Sequence, residues 1–163
     1  MKIYLDVCCL SRPFDDQSQY RVRLESEAIL IILHRFYVHE WEWIGSEAIE
    51  IEVGNTPDIG KRQHLAGLAS YIHKSVKIRD NEVRRSGQPE KLGFKSFDAM
   101  HTACSESGDA DYFLTTDDKL LRLAEREKEK LNVRTANPLY WLTKVISNES
   151  RIYKSVSDTS DGN

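Results

Sequence analysis

The stretch from Phe97 to Asp118 constrains this chain most. It pairs a small-residue run, Phe97-Asp98-Ala99-Met100-His101-Thr102-Ala103, with the apolar run Tyr112-Phe113-Leu114 and the ending Thr115-Thr116-Asp117-Asp118. Ser96 is a good N-cap, so a helix is expected to start there. Asp98 then lies in its first turn, where the partial positive charge of the helix terminus favours an anion. Ser107-Gly108 ends the helix. Tyr112 to Thr115 reads as a short buried strand, and Asp117 and Asp118 follow its carboxyl end. In an open α/β sheet that edge is where ligands bind. One helix and one strand therefore each bring a carboxylate toward the same edge. Taken singly, each acid has an ordinary reading as a helix-start or capping residue, so a case for chemistry needs the rest of the chain.

The rest of the chain alternates in the same way. Strands are expected at 2–6, 41–44, 112–115 and 133–135, with Ser75 to Ile78 a brief extended link. A helix from Ser18 carries Val22, Ile29, Ile32, Leu33 and Phe36 on one face, with Arg21, Arg23, Glu25 and Glu27 mostly on the other. Gly45-Ser46 opens a helix containing Glu47, Glu50 and Glu52. Leu65, Leu68, Ala69 and Ile72 form the core stripe of a helix over His64 to His73, whose two histidines read as solvated. Asp80 to Arg85 is a short helix with Val83 inward, interrupted by Ser86-Gly87-Gln88-Pro89. Lys119 to Leu131 is a polar helix, and Asn137-Pro138 starts another over Leu139 to Val145. Such alternation implies an α/β fold with a mostly parallel sheet and right-handed crossovers. At 163 residues the chain is expected to form one domain, residues 1–146, followed by a polar, frayed tail, residues 147–163.

Composition narrows the function classes. The longest apolar run, Ala28 to Leu33, is far too short to span a bilayer, and the N-terminus has no secretory pattern. Three cysteines, two of them adjacent at Cys8 and Cys9, make neither a disulfide framework nor a zinc pattern. A reducing cytoplasm is the simplest location. The formal charge of −3 argues against a protein that coats nucleic acid by charge alone. It leaves open an enzyme that grips a phosphodiester through bound metal.

Asp6 closes the first strand, and a carboxylate there is costly unless something positive meets it. Asp6, Asp98 and Asp118 all stand at element ends, and a glutamate on the Ser46–Val53 helix offers a fourth acid. Such carboxylates repel one another. A hard divalent cation, Mg²⁺ or Mn²⁺, resolves the repulsion and can activate water for an in-line phosphoryl displacement. Glu50 and Glu52 lie about 200° apart on a helix, so only one of them can face the site.

These pieces resemble PIN-domain nucleases, in particular the single-domain bacterial ribonuclease toxins of the VapC type. The matching residues are Ile3-Tyr4-Leu5-Asp6, Ser46 with Glu52, Asp98-Ala99-Met100-His101-Thr102-Ala103, Phe113-Leu114-Thr115-Thr116-Asp117-Asp118, and Val133 to Leu142. The resemblance implies a PIN-like three-layer α/β/α sandwich and hydrolysis of RNA with Mg²⁺ or Mn²⁺. It further implies homodimerisation and often a small antitoxin partner. It selects Glu52 over Glu47 and Glu50. It also selects Asp118, through Thr116-Asp117-Asp118, as the acid after the strand, beside Asp6 and Asp98. Two departures stand out. Cys8 occupies a place where the family has serine, threonine or asparagine, which removes a good hydrogen-bonding group. The Arg12–Asp16 loop is longer than the family pattern. Arg12, Arg84, Arg85, Lys91 and Lys95 are candidates to contact phosphates. A non-catalytic PIN-like binding module is the alternative. A phosphatase of the haloacid-dehalogenase type ranks last, because its second aspartate would stand where Cys8 does. A Cys8–Cys9 redox pair is disfavoured, since nothing nearby suggests an activated thiol.

Overall fold

Ile3, Tyr4 and Leu5 are consecutive and all fully buried. Side chains alternate across a strand, so a run buried at every position must be covered on both faces. This strand, β1 (Lys2–Leu5), is the middle of a five-stranded, all-parallel sheet ordered β3-β2-β1-β4-β5. Its partners are β2 (Glu42–Ser46), β3 (Lys74–Val76), β4 (Tyr112–Leu114) and β5 (Arg134–Ala136). The computed structural model describes residues 1–160, and side-chain surroundings through Arg151. Within them the helices are α1 (Val7–Ser11), α2 (Tyr20–Tyr37), α3 (Glu47–Gly54), α4 (Ile59–Ala69), α5 (Asp80–Lys91), α6 (Ser96–Ser107), α7 (Asp118–Arg126) and α8 (Pro138–Ser160).

Register assigns the layers. Tyr4 pairs with Ile44 and Phe113, so these side chains share one face. On that face Tyr4 meets His101 of α6. Ile3 pairs with Trp43 and Tyr112, which look the other way. There Phe36 of α2 stacks on Trp43, and Trp141 of α8 packs against Tyr112. The result is an α/β/α sandwich with α2 and α8 on one side and α6 on the other. The strand order reverses beside β1, because β1 leads to β2 and β3 on one flank while β4 and β5 take the other. The carboxyl edge between β1 and β4 is thus a topological switch point, where such sheets bind ligands.

Several local expectations change. Lys74–Val76 is a short edge strand instead of a link. The turn-like Ser11–Asp16 segment begins with the end of α1 and a 3₁₀ turn at Arg12–Phe14. Helix α5 runs through Pro89. Proline there removes only the bond to the Arg85 carbonyl, and its burial offsets that loss. Val83 is 55% exposed, whereas Glu82 and Ser86 face inward. Helix α4 starts at Ile59 and ends before Ile72, with Leu65 its buried residue. His73 is exposed but accepts a hydrogen bond from the Trp43 amide. Helix α8 continues to Ser160 through the segment whose polarity suggests a frayed tail; residues 161–163 of that segment lie outside the described residues. Helix α6 ends at Ser107 as expected, but Gly108 has φ −81°, open to any residue. Space requires the glycine, since a Cβ there would collide with Ile44 and Val76.

Glu25 is the largest departure from amphipathic reading, being only 1% exposed. Arg21 Nε and Asn137 Nδ2 donate to its Oε1 at 2.9 and 2.8 Å. Arg12 Nε lies 2.8 Å from Oε2, an ion pair whose N–H is not aimed along the contact. The carboxylate thereby ties α2 to the 3₁₀ turn and to the start of α8. Removing one partner of a buried pair leaves the other charge uncompensated, at a cost of about 3–5 kcal/mol. Glu25→Ala is therefore expected to lower the urea midpoint by an equivalent of about 3 kcal/mol. An unchanged midpoint would show that Glu25 does not brace these elements.

Candidate active site

Asp6 continues β1 by donating its amide to the Leu114 carbonyl at 3.0 Å, which fixes its side chain at the β1/β4 edge. It is 5% exposed. Thr115 Oγ1 donates to Asp6 Oδ2 at 2.7 Å, and the Cys8 thiol reaches the same oxygen at 3.1 Å. Cys8 therefore keeps the contact that a hydroxyl would make, as a weaker donor, and Thr115 supplies the strong one. Both bonds fall on Oδ2.

The three glutamates of α3 part company as helical geometry requires. Glu47 accepts the Ile78 amide at 2.7 Å and pairs with Lys77. Glu50 is exposed and lies 3.3 Å from Ser75 Oγ. Glu52 turns to the sheet edge, its Oε2 2.6 Å from His101 Nε2.

Asp98 sits in the first turn of α6, whose N-cap is Lys95. Its carboxylate is half-buried and accepts no hydrogen bond among the described residues. Burial, then the negative charges of Asp6 and Asp117, push its pKa up to about 6. The two aspartates after β4 separate. Asp117 is the N-cap of α7, with Oδ1 accepting the amides of Lys119 and Leu120 at 2.8 and 3.1 Å. Asp118 points to α2 instead, where Arg21 grips it through two bonds of 2.7 Å. That guanidinium holds its carboxyl below the usual range. Asp98 and Asp117 are thus close enough for charge to act between them and with Asp6, whereas Asp118 is engaged by Arg21. Thr115-Thr116-Asp117 has the same Thr-x-Asp spacing as the frame one residue later, so the sequence admits either register.

His101 is the functional candidate that sequence reasoning passed over. It lies three residues after Asp98, on the same helical face. It is 1% exposed. Nδ1 is 2.7 Å from Tyr4 Oη, which is 2.5 Å from Ser46 Oγ. Burial alone would lower its pKa, but the Glu52 hydrogen bond and the charges of Asp6, Glu52 and Asp98 raise it. One ligand atom each from Asp6, Glu52 and His101 lies within 4.8 Å of the others. Opposite ligands of a small octahedral ion stand about 4.2 Å apart, so the set fits one cation after slight closure. The mutual charge that lifts Asp98 is what such an ion would neutralise.

A groove of about 440 Å³ adjoins the acids, lined by Arg12, Glu52, Asn55, Thr56, Lys61 and Thr116 among others. Of the other basic candidates, Arg85 is committed to Glu106. Arg84, Lys91 and Lys95 are exposed.

A raised folded-state pKa means that the folded protein binds more protons than the unfolded chain between about pH 4 and 6. Ionised Asp98 therefore costs stability above that window. In a chelator, Asp98→Asn is expected to stabilise the protein at pH 7.5 by on the order of 1 kcal/mol after allowance for screening, the gain vanishing near pH 4. Thermal melts at the two pH values check this. A loss of stability at pH 7.5 would contradict it.

No protein-family model matches the chain, and no curated protein matches it in sequence. Among solved structures, its fold is similar to a chain in the crystal structure of VapBC2 from Rickettsia felis bound to a DNA fragment from their promoter. The TM-score is 0.52 at 11% sequence identity, over 84% of this chain and 98% of the other. The five-stranded parallel sheet with its flanking helices is a PIN-like fold.

Proposed function

We propose that this protein is a metal-dependent endoribonuclease, the toxin half of a toxin–antitoxin pair, acting from residues 1–146. The observation that carries the reading is the meeting of Asp6, Glu52 and His101 at the edge of a PIN-like sheet, with Asp98 near enough to feel the charge of Asp6. In this reading Asp6 and Asp98 hold Mg²⁺ or Mn²⁺, with Glu52 completing the set. The ion would supply charge neutralisation and a more acidic water. Thr115 and Cys8 hold Oδ2 of Asp6 and leave Oδ1 to the pocket. Arg12 and Lys61 line the adjoining groove, where positive side chains suit an RNA backbone. The sequence pattern gives the fourth acid as Asp118, but its bidentate bond to Arg21 favours Asp117, whose charge acts on Asp98.

A cytoplasmic location accords with three free cysteines. No described helix is long and apolar enough to cross a membrane. Exposed Leu30 on α2, with Tyr37 and Tyr71 beside it, supports burial of this side against a second copy or an antitoxin. Sedimentation of the isolated chain is expected to give a homodimer at micromolar concentration, and a monomer throughout would contradict that assignment.

Cleavage of a mixed-sequence RNA tests the activity. Mg²⁺ or Mn²⁺ should support it and chelator should stop it. Glu52→Gln, Asp98→Asn and Asp117→Asn are each expected to cut the rate by about a hundredfold or more, and Asp118→Asn to retain most of it. Loss with Asp118→Asn but not Asp117→Asn would return the site to the later register. A protein that cleaves no RNA and binds neither ion would be a binding module instead.

A further inference from the structure

A buried imidazole in a set of oxygen ligands changes what the set can bind. His101 Nε2 is 2.6 Å from Glu52 Oε2 and 4.0 Å from Asp6 Oδ1, so it faces the space that the carboxylates share. Its other nitrogen enters a buried chain of rotatable hydroxyls, Tyr4 and then Ser46. Each hydroxyl of this chain can turn either way, so it accommodates either neutral tautomer of the ring. In one, Ser46 donates to Tyr4, Tyr4 donates to Nδ1, and Nε2–H donates to Glu52. In the other, Nδ1–H donates to Tyr4 and Tyr4 donates to Ser46. Both hold the same number of protons and differ in which ring nitrogen carries one and which way the hydroxyls point. The second leaves the Nε2 lone pair against the Glu52 carboxylate, an arrangement that is repulsive until a cation enters between them.

We propose that His101 is a nitrogen ligand for the divalent cation, made available by the reversible Tyr4–Ser46 hydroxyl chain, so that the site selects Mn²⁺ over Mg²⁺. The inference rests on the metal-site reading above. Imidazole suits borderline transition ions, whereas Mg²⁺ is held by oxygen ligands and waters. A metal-bound histidine needs its second nitrogen held by a partner that fixes the tautomer, and Tyr4 is that partner here. Wild-type protein is expected to bind Mn²⁺ roughly a hundredfold more tightly than Mg²⁺. His101→Gln should lose tenfold or more of the Mn²⁺ affinity and little of the Mg²⁺ affinity, and Tyr4→Phe should weaken Mn²⁺ in the same direction.

Pulsed electron paramagnetic resonance on the full chain with one equivalent of Mn²⁺ reads the ligand directly. The expected result is a ¹⁴N coupling that changes on ¹⁵N-histidine labelling and disappears in His101→Gln with Mn²⁺ still bound. The other four histidines, His34, His39, His64 and His73, are all exposed. A variant with those four changed to Gln should keep the coupling, which tests the assignment even if His101→Gln does not fold. Bound Mn²⁺ without nitrogen coupling overturns this inference and leaves an all-carboxylate nuclease site standing. Coupling lost in the four-histidine variant places the ion elsewhere and also overturns it. Absence of any Mn²⁺ binding removes the metal reading itself and this inference with it.

Discussion

The arrangement depends on one electrostatic constraint, the crowding of carboxylates at the end of a strand that is buried on both faces. Asp6 follows three fully buried residues and cannot move to solvent without unpairing β1 from β4. Glu52 and Asp98 arrive from α3 and α6. The group bonded among them is His101, itself buried and bonded to Glu52, while Lys95 lowers the Asp98 pKa by less than burial, Asp6 and Asp117 raise it. Burial and neighbouring charge therefore raise Asp98 to about 6. A structure keeps such a conflict where function uses it.

The same molecule shows how it treats acids that are structural. Glu25 is the most buried carboxylate among the described residues, yet Arg12, Arg21 and Asn137 surround it. Asp118 is clasped by Arg21. Asp58 accepts the Lys61 amide as the N-cap of α4. Asp98 has none of these partners. Arg21 bonds both Glu25 and Asp118 and so links α2 to the start of α7.

Much of this was legible in the sequence. Continuous apolar runs marked β1 and β4, and the placement of Asp6 and Asp98 at element ends led to the switch point. Helical spacing left room for only one of Glu50 and Glu52 at the site, and the family resemblance selected Glu52. What escaped was set by tertiary contact. Three residues at Lys74–Val76 carry too little pattern to announce an edge strand. Proline near the end of α5 costs only one bond, so the helix continues past it. Glu25 looks solvated until Arg12 and Asn137 are brought to it from distant segments. His101 was hidden because a lone histidine in a small-residue helix reads as ordinary core. Its meaning comes from Tyr4, Ser46 and Glu52, which lie on three other elements. Asp117 and Asp118 share the Thr-x-Asp spacing in alternative frames, and only the position of Arg21 tells them apart.

The divalent cation proposed among Asp6, Glu52 and Asp98 can be located directly. Crystals grown at neutral pH with Mn²⁺, and measured for anomalous scattering, test its presence. A strong anomalous peak is expected within bonding distance of Asp6 Oδ1 and the Asp98 carboxylate. A well-ordered pocket with no such peak, under conditions where Mn²⁺ is seen elsewhere on the protein, would contradict it.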